Sequence, residues 1–493
     1  MFFIAIDLGT TNVKIALYDE ELRLLALEKK KVLYQRKGDF VEFDAALYFA
    51  DLLTLIRRCA EKAGCSFKHS EIYITLTGQA ESFVLVGYDG VPLQKAVSWM
   101  DTRSKTECRE MIDDFGEEKG FRITGQPWIA PTWTATKLRW FYKNKPGLLK
   151  RTWKVLLLKD YIQFCFTGEV MSESTIRGFS YLYEMDKNVH WEEMVKYCGL
   201  QNGQLPDIVK PCMRIGNILP QIRKQLPEGG EYIVNVGALD HIAGMVGSNA
   251  YHLGTAAESA GTVLSLTMLT KRWDFDPQRK IACLPGPEEG HYVLFDCCDS
   301  GGVCMEWLKN IVLTDMSYDE IEAEMGRVEV NNAPLFLPYM TGINPPEYYA
   351  DAKGAFLGLT LSHNKIDMAY AVMEGVACML SNNIKYCESA GVDIEQVISS
   401  GGGANSTFWN QIKANICRKK IVVPKEKNAS VFGAALIGAV DAGVYRNLTE
   451  ACEICARATN SYIPDQDKLY QERYRKYEWY KKLLAPSFCA GRE

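Results

Sequence analysis

Short apolar runs that end at small or polar residues alternate with amphipathic stretches along most of this chain. Phe2 to Ile6 reads as a strand, Asp7-Leu8-Gly9-Thr10-Thr11-Asn12 as a tight polar turn, and Val13 to Tyr18 as a second strand, together a β-hairpin. Asp44 to Ala63 has helical periodicity, with Leu47, Ala50, Leu53, Leu55 and Ile56 on one side. Glu71 to Leu76 reads as a strand ending at Thr77-Gly78-Gln79, and Lys154 to Lys159 as a short buried segment before a helix that stops at Gly168. A strand from Tyr232 to Val236 runs into Gly237-Ala238-Leu239-Asp240-His241, and Ile242 starts a helix. Further on, the pattern predicts a long helix from Asp367 to Ser389, a strand from Gln396 to Ser400 and a helix from Ser406 to Cys417. Asp465 to Leu484 reads as a terminal amphipathic helix docked on the second half.

Strands alternating with helices imply α/β layers with substantial parallel pairing. Near the middle, Glu258-Ser259-Ala260-Gly261-Thr262 reads as a small-residue turn entering a strand at Val263. A polar Gly-Thr turn opening each half points to two related domains. The 493 residues suit two or three domains. The boundary falls in Gly247-Ser248-Asn249, giving units of 1–247 and 248–493.

Composition adds exclusions. Hydrophobic residues are 47% and charged residues 24%, as in ordinary globular proteins, and the net charge of −5 gathers into no long run of one sign. This argues against nucleic acid or an anionic membrane as the main partner. The 16 cysteines are scattered and read as reduced core thiols. With no leader pattern and no membrane-length apolar run, the chain reads as cytoplasmic.

Three turns have candidate chemistry. Asp7-x-Gly9-Thr10-Thr11 lies between two strands, where backbone N–H groups can form a nest for phosphate oxygens. Thr10, Thr11 and Asn12 add donors, Lys14 adds charge if it faces the cleft, and Asp7 suits a magnesium-bound water. The plainer reading is an ordinary hairpin turn. Ser400-Gly401-Gly402-Gly403-Ala404-Asn405 leaves room for a ligand against the backbone, or is simply a tight strand-to-helix loop. No segment fits the P-loop or the dinucleotide fingerprint. Asp240, at a strand's C-terminal end, is either a general base for a hydroxyl or a helix N-cap. His241 beside it reads as a packing or hydrogen-bonding residue.

Taken in this order, these pieces resemble the FGGY family of carbohydrate kinases over nearly the whole chain. Thr134-Ala135-Thr136-Lys137-Leu138-Arg139-Trp140 is similar to the family's first-domain signature. Gly354-Ala355-Phe356-Leu357-Gly358-Leu359, continuing to Asp367 through Gly375, is similar to its second-domain signature. Phe336 to Gly342 and Gly401 to Asn405 also resemble family segments. The resemblance implies two ribonuclease-H-like, actin/hexokinase-type domains around a central cleft. It also implies phosphorylation of a small sugar or polyol by Mg-ATP. It places Gly261 and Thr262 near the phosphates, Gly402, Gly403 and Asn405 near the adenosine, Asp7 near Mg²⁺, and Asp240 as the base.

The sugar is implied to lie mainly on the first domain. There Gln79-Ala80-Glu81 stands where xylulose kinases commonly have Gln-Met-His and glycerol kinases Gln-Arg-Glu. Ala80 departs from both, leaving room for more than glycerol, and Glu81 offers two acceptor oxygens. Trp99-Met100-Asp101-Thr102-Arg103 resembles the family's Trp-x-Asp-x-Arg, with Trp99 suited to stack on a sugar face. Asp101 and Arg103 would then set polar contacts or form an ion pair, and His241 would contact a sugar hydroxyl. Length and the second-domain pattern favour the xylulose-kinase-like branch and a ketose acceptor. The other readings are a polyol, deoxy-ketose or sugar-acid kinase, a non-kinase actin-like ATPase and an inactive sugar sensor. A homodimer is compatible with the family.

Overall fold

The computed structural model describes residues 1–488 apart from 262, 274, 277, 279, 299, 344–348, 350, 456–457 and 466–467. Two sheets organise it. The first has six strands in the order Arg214–Asn217, Glu231–Leu239, Glu71–Gly78, Phe2–Leu8, Asn12–Tyr18 and Leu24–Lys31. The second has seven, in the order Ala458–Tyr462, Lys420–Pro424, Gln396–Ser400, Thr255–Ala260, Leu264–Thr270, Tyr292–Cys298 and Ala282–Pro285.

Strand by strand, the first six positions of the two sheets share both order and sense. Phe2–Leu8 pairs antiparallel with Asn12–Tyr18 and parallel with Glu71–Gly78, which pairs parallel with Glu231–Leu239. Thr255–Ala260 pairs antiparallel with Leu264–Thr270 and parallel with Gln396–Ser400, which pairs parallel with Lys420–Pro424. Antiparallel edge strands close both series. The two halves are therefore one architecture used twice, a mixed α/β fold of the actin/hexokinase kind. The central strands are apolar on both faces, as expected for parallel strands covered on both sides.

The helices that follow the equivalent strands, Asp240–Gly247 and Ala429–Asp441, pack against each other. Their contact is glycine to backbone. A Cβ on Gly247 would lie 1.9 Å from the Ala429 carbonyl oxygen, and one on Gly433 would lie 1.8 Å from that of Ala243. The Ala429–Asp441 helix also packs on Phe2–Leu8 and Glu71–Gly78, so a late segment covers the first sheet.

Local expectations hold with some shifts. The predicted hairpin, long helix and Gln396–Ser400 strand are present. The first long helix is Ala45–Ala63, with Asp44 as the cap that accepts from the Leu47 N–H. Leu47 and Ala50 are exposed, however; Tyr48 and Leu52 take the buried face with Leu53, Leu55 and Ile56. Glu258, Ser259 and Ala260, read as a turn, belong to a strand: Glu258 and Ser259 pair with both flanking strands and Ala260 with Leu264 of one. The terminal helix is Lys468–Leu484, held by Arg473 bonded to both oxygens of Glu374 at 2.5 and 2.6 Å. Cys452 and Cys455 have C-x-x-C spacing; Cys452 is buried and its thiol donates to the Val246 carbonyl. Among the described residues no helix is long and apolar enough to cross a membrane.

Candidate active site

A cavity of about 310 Å³ lies between the sheets, lined by Asp7, Gly9 and Lys14 from the first hairpin and by Asp240, His241 and Gly244 from one interface helix. Lys427, Asn428 and Ser430 line it from the start of the other, and Ser259, Ser400 and Gly401 from the second sheet. Gly9 is required by the turn, since a Cβ there would meet the Asn12 carbonyl oxygen at 2.6 Å. Lys14 faces inward, 3.6 Å from Asp7. Thr10, Thr11 and Asn12 are not among the residues lining the cavity; Thr10 accepts a hydrogen bond from the Trp99 indole at 2.9 Å.

Burial and the nearby Asp240 charge push the Asp7 carboxyl up to about 6, against the pull of Lys14 and Ser430. Burial likewise raises Asp240, against His241 and the His241 N–H that its Oδ1 accepts at 2.8 Å. Leu239, not Asp240, holds the N-cap position, and Asp240 is the first helical residue. The His241 ring packs on Phe295 at 4.7 Å between centroids.

A second cavity of about 690 Å³ is lined by Gly261, Gly402, Gly403 and Asn405, with Met373 and Trp409. Lys427 lines both cavities, so they adjoin. Thr262 lies outside the described residues.

The predicted sugar segment lies outside the lining of both cavities and is tightly bonded within itself. The Gln79 amide donates to the Leu8 carbonyl and accepts from the Ser82 hydroxyl, which also receives the Trp99 N–H. Glu81 adopts a left-handed φ of 64°, and one oxygen of its carboxyl is buried without a hydrogen-bond partner among the described residues. Burial pushes Glu81 up and Lys137 down toward their neutral forms, each opposed by the other's charge. Ala80 is half-buried beside them, packed against the first domain's core. Asp101 and Arg103 form a local ion pair. Arg103 donates to both Asp101 oxygens at 2.8 and 2.7 Å and to Glu42 at 2.7 Å, and its guanidinium lies 4.3 Å from the Phe40 ring centre. Asp101 is fully buried and also accepts from the Val41 N–H.

Sequence reasoning missed Lys427, Asn428 and Ser430. The available signal was the internal repeat: they follow Lys420–Pro424 and open a helix, as Asp240 opens the helix after Glu231–Leu239.

The chain matches the FGGY family of carbohydrate kinases in its N-terminal domain over residues 2–247 and in its C-terminal domain over residues 256–442. It is 28% identical over 485 residues to a xylulose kinase of Staphylococcus epidermidis, covering 96% of this chain and 95% of that one. Two Lactobacillus acidophilus structures, a ligand-bound xylulose kinase and a gluconate kinase, each superpose with a TM-score of 0.90 at 25% identity, covering 99% of both chains. With both domain types matched across more than half of its length, the chain belongs to the FGGY family of carbohydrate kinases and phosphorylates a sugar at the expense of ATP.

Proposed function

We propose that this kinase transfers the γ-phosphoryl group of Mg-ATP to a hydroxyl of a ketose, xylulose or a related pentulose, with Asp240 as general base. The observation that carries this reading is the placing of Asp7 and Asp240 in one cavity that adjoins the larger, partly apolar one through Lys427. Adenosine occupies the larger cavity against Trp409 and Gly402-Gly403-Asn405, and its phosphates run past Gly261 and Lys427. The acceptor oxygen attacks the γ-phosphorus as its proton passes to Asp240; the bond to the β-phosphate oxygen breaks and ADP leaves. Burial that raises Asp240 above an ordinary carboxylate makes it a better base.

Asp7 fits a magnesium site. Its raised carboxyl faces a second acid, a pairing that a hard cation relieves, and such cations take one or two carboxylates plus phosphate and water. When bound, the ion neutralises charge on the transferring group. Trp99 covers the acceptor, with Gln79, Ala80, Glu81 and His241 around it, and Asp101 and Arg103 hold that wall from behind. Lys14, Thr10, Thr11 and Asn12 lie toward the phosphates. A cytoplasmic location, where ATP is supplied, and a homodimer complete the reading.

The gluconate kinase likeness favours a second acceptor class, a sugar acid. ADP release with Mg-ATP against ketoses, polyols and sugar acids, scored by kcat/KM, decides between them. Xylulose or another pentulose standing above the rest supports the proposal; gluconate standing above it replaces the ketose. A silent panel with intact ATP binding overturns both.

A further inference from the structure

The five residues that lead into Asp240 do not follow a regular strand. The Glu231–Leu239 strand pairs in register with Glu71–Gly78 as far as Asn235, then slips so that Ala238 faces Thr77. The slip sits on Gly237, whose φ is +66° and where a Cβ would lie 1.7 Å from the Leu76 carbonyl oxygen. A bulge of this kind re-aims the residues after it and takes backbone groups out of the ladder. Buried groups so released must find other partners.

Side chains, most of them from other elements, supply several of these. Lys159 Nζ donates to the Val236 carbonyl at 2.6 Å, the Asn235 side chain accepts from the Gly237 N–H at 2.7 Å, and the Thr77 hydroxyl donates to the Ala238 carbonyl at 2.9 Å. Thr175 Oγ1 accepts from the Leu239 N–H at 2.9 Å, at the residue immediately before Asp240. Thr175 is itself fixed. Its own N–H donates to Glu173 at 2.6 Å, and Glu173 pairs with Lys159 at 3.1 Å, all three fully buried. Lys159 and Thr175 thus reach the Asp240 strand end from one shared carboxylate.

We propose that Thr175 is a positioning residue for the phosphoryl transfer: by accepting the Leu239 N–H it fixes the peptide that aims the Asp240 carboxyl at the acceptor hydroxyl. This rests on Asp240 being the base. Thr175 lines neither cavity, so its loss should act on the reaction step and leave ATP binding alone.

The test compares Thr175→Val, Thr175→Ala, Thr175→Ser and Asp240→Asn by steady-state ADP release with D-xylulose and D-gluconate. The first two variants delete the acceptor; the third keeps it. Expected is a fall in kcat of about 10–100-fold in Thr175→Val and Thr175→Ala with the KM for ATP within about twofold, and recovery of most of kcat in Thr175→Ser. Amide exchange over residues 236–240 should rise in the first two and not in the third; it reads the anchor without turnover and in whichever deletion variant folds. Near-normal kcat or unchanged exchange in the deletion variants, with Asp240→Asn inactive, overturns the positioning role alone. An equal loss in Thr175→Ser shows that the side chain serves packing and also overturns it. Near-normal kcat in Asp240→Asn removes the base itself.

Discussion

Ser430 donates a hydrogen bond to Asp7 at 2.9 Å across 423 positions of sequence. Asp7 lies one residue before the end of the first strand, and Ser430 lies in the first turn of the helix that follows Lys420–Pro424 in the second half. The bond joins the halves at the carboxylate assigned to magnesium, and it favours the ionised form of Asp7 against the burial that raises it.

The acid limb of kcat/KM should reflect this. Asp7 protonates as pH falls through about 6, and the neutral acid cannot hold a cation, so the rate falls below that pH. Ser430→Ala removes one of the groups that lower Asp7, so its limb moves to higher pH, by up to about one unit. Excess Mg²⁺ should move the wild-type limb down. A limb at the same pH in both proteins would detach Ser430 from the titration.

Asp240→Asn should lower kcat by about 10²–10⁴-fold while ATP still binds. The check is turnover alongside calorimetric ATP titration; full turnover would leave Asp240 a purely structural first-turn residue.

Glu81→Gln keeps the shape of the side chain and replaces a carboxyl oxygen by an amide NH₂, which cannot accept a hydroxyl hydrogen bond. The KM for the sugar should rise about tenfold or more, with the KM for ATP little changed. If both constants stay put and only the melting temperature drops, Glu81 serves Lys137 alone.

Asp296 is buried, with one oxygen unpartnered among the described residues, and burial pushes it up to about 7. The folded state binds this proton more tightly than the unfolded chain. The stabilisation is therefore full below the ordinary value near 3.8 and lost as pH rises through about 7. A tenfold difference in proton affinity between the two states corresponds to about 1.4 kcal/mol. Asp296→Asn should flatten the decline of melting temperature between pH 5 and pH 8 and melt above wild type at pH 8. A parallel decline in the two proteins would refute this.

Gly433→Ala should destabilise by about 1–3 kcal/mol or more, because its Cβ would meet the Ala243 carbonyl, a backbone atom that cannot swing aside. Chemical denaturation measures it, and Gly402→Ala is the comparison, since a Cβ there meets nothing within 4 Å.

Much of this protein was legible in its sequence because the signals are local. Period-two and period-3.6 patterns mark the hairpin, the Lys365–Ser389 helix and the Gln396–Ser400 strand, and glycines mark turns at Gly9 and Gly401 that other residues would strain or fill. The apolar pattern put Asp7 and Asp240 at two strand ends, the family resemblance gave them roles, and the fold brings both to one cavity. The features that the sequence left open depend on which distant groups become neighbours. No local pattern chooses the Asp101–Arg103 ion pair over sugar contacts, adds Glu42 to it, or says that the Glu81 carboxyl is buried within reach of the Lys137 charge. Nor does any pattern say that Ser430 reaches Asp7 or Thr175 the Leu239 N–H. The local code sets strands, turns and residue types. Partnership among buried polar groups is decided only on assembly, when each group removed from water must find a partner in whatever the fold brings near.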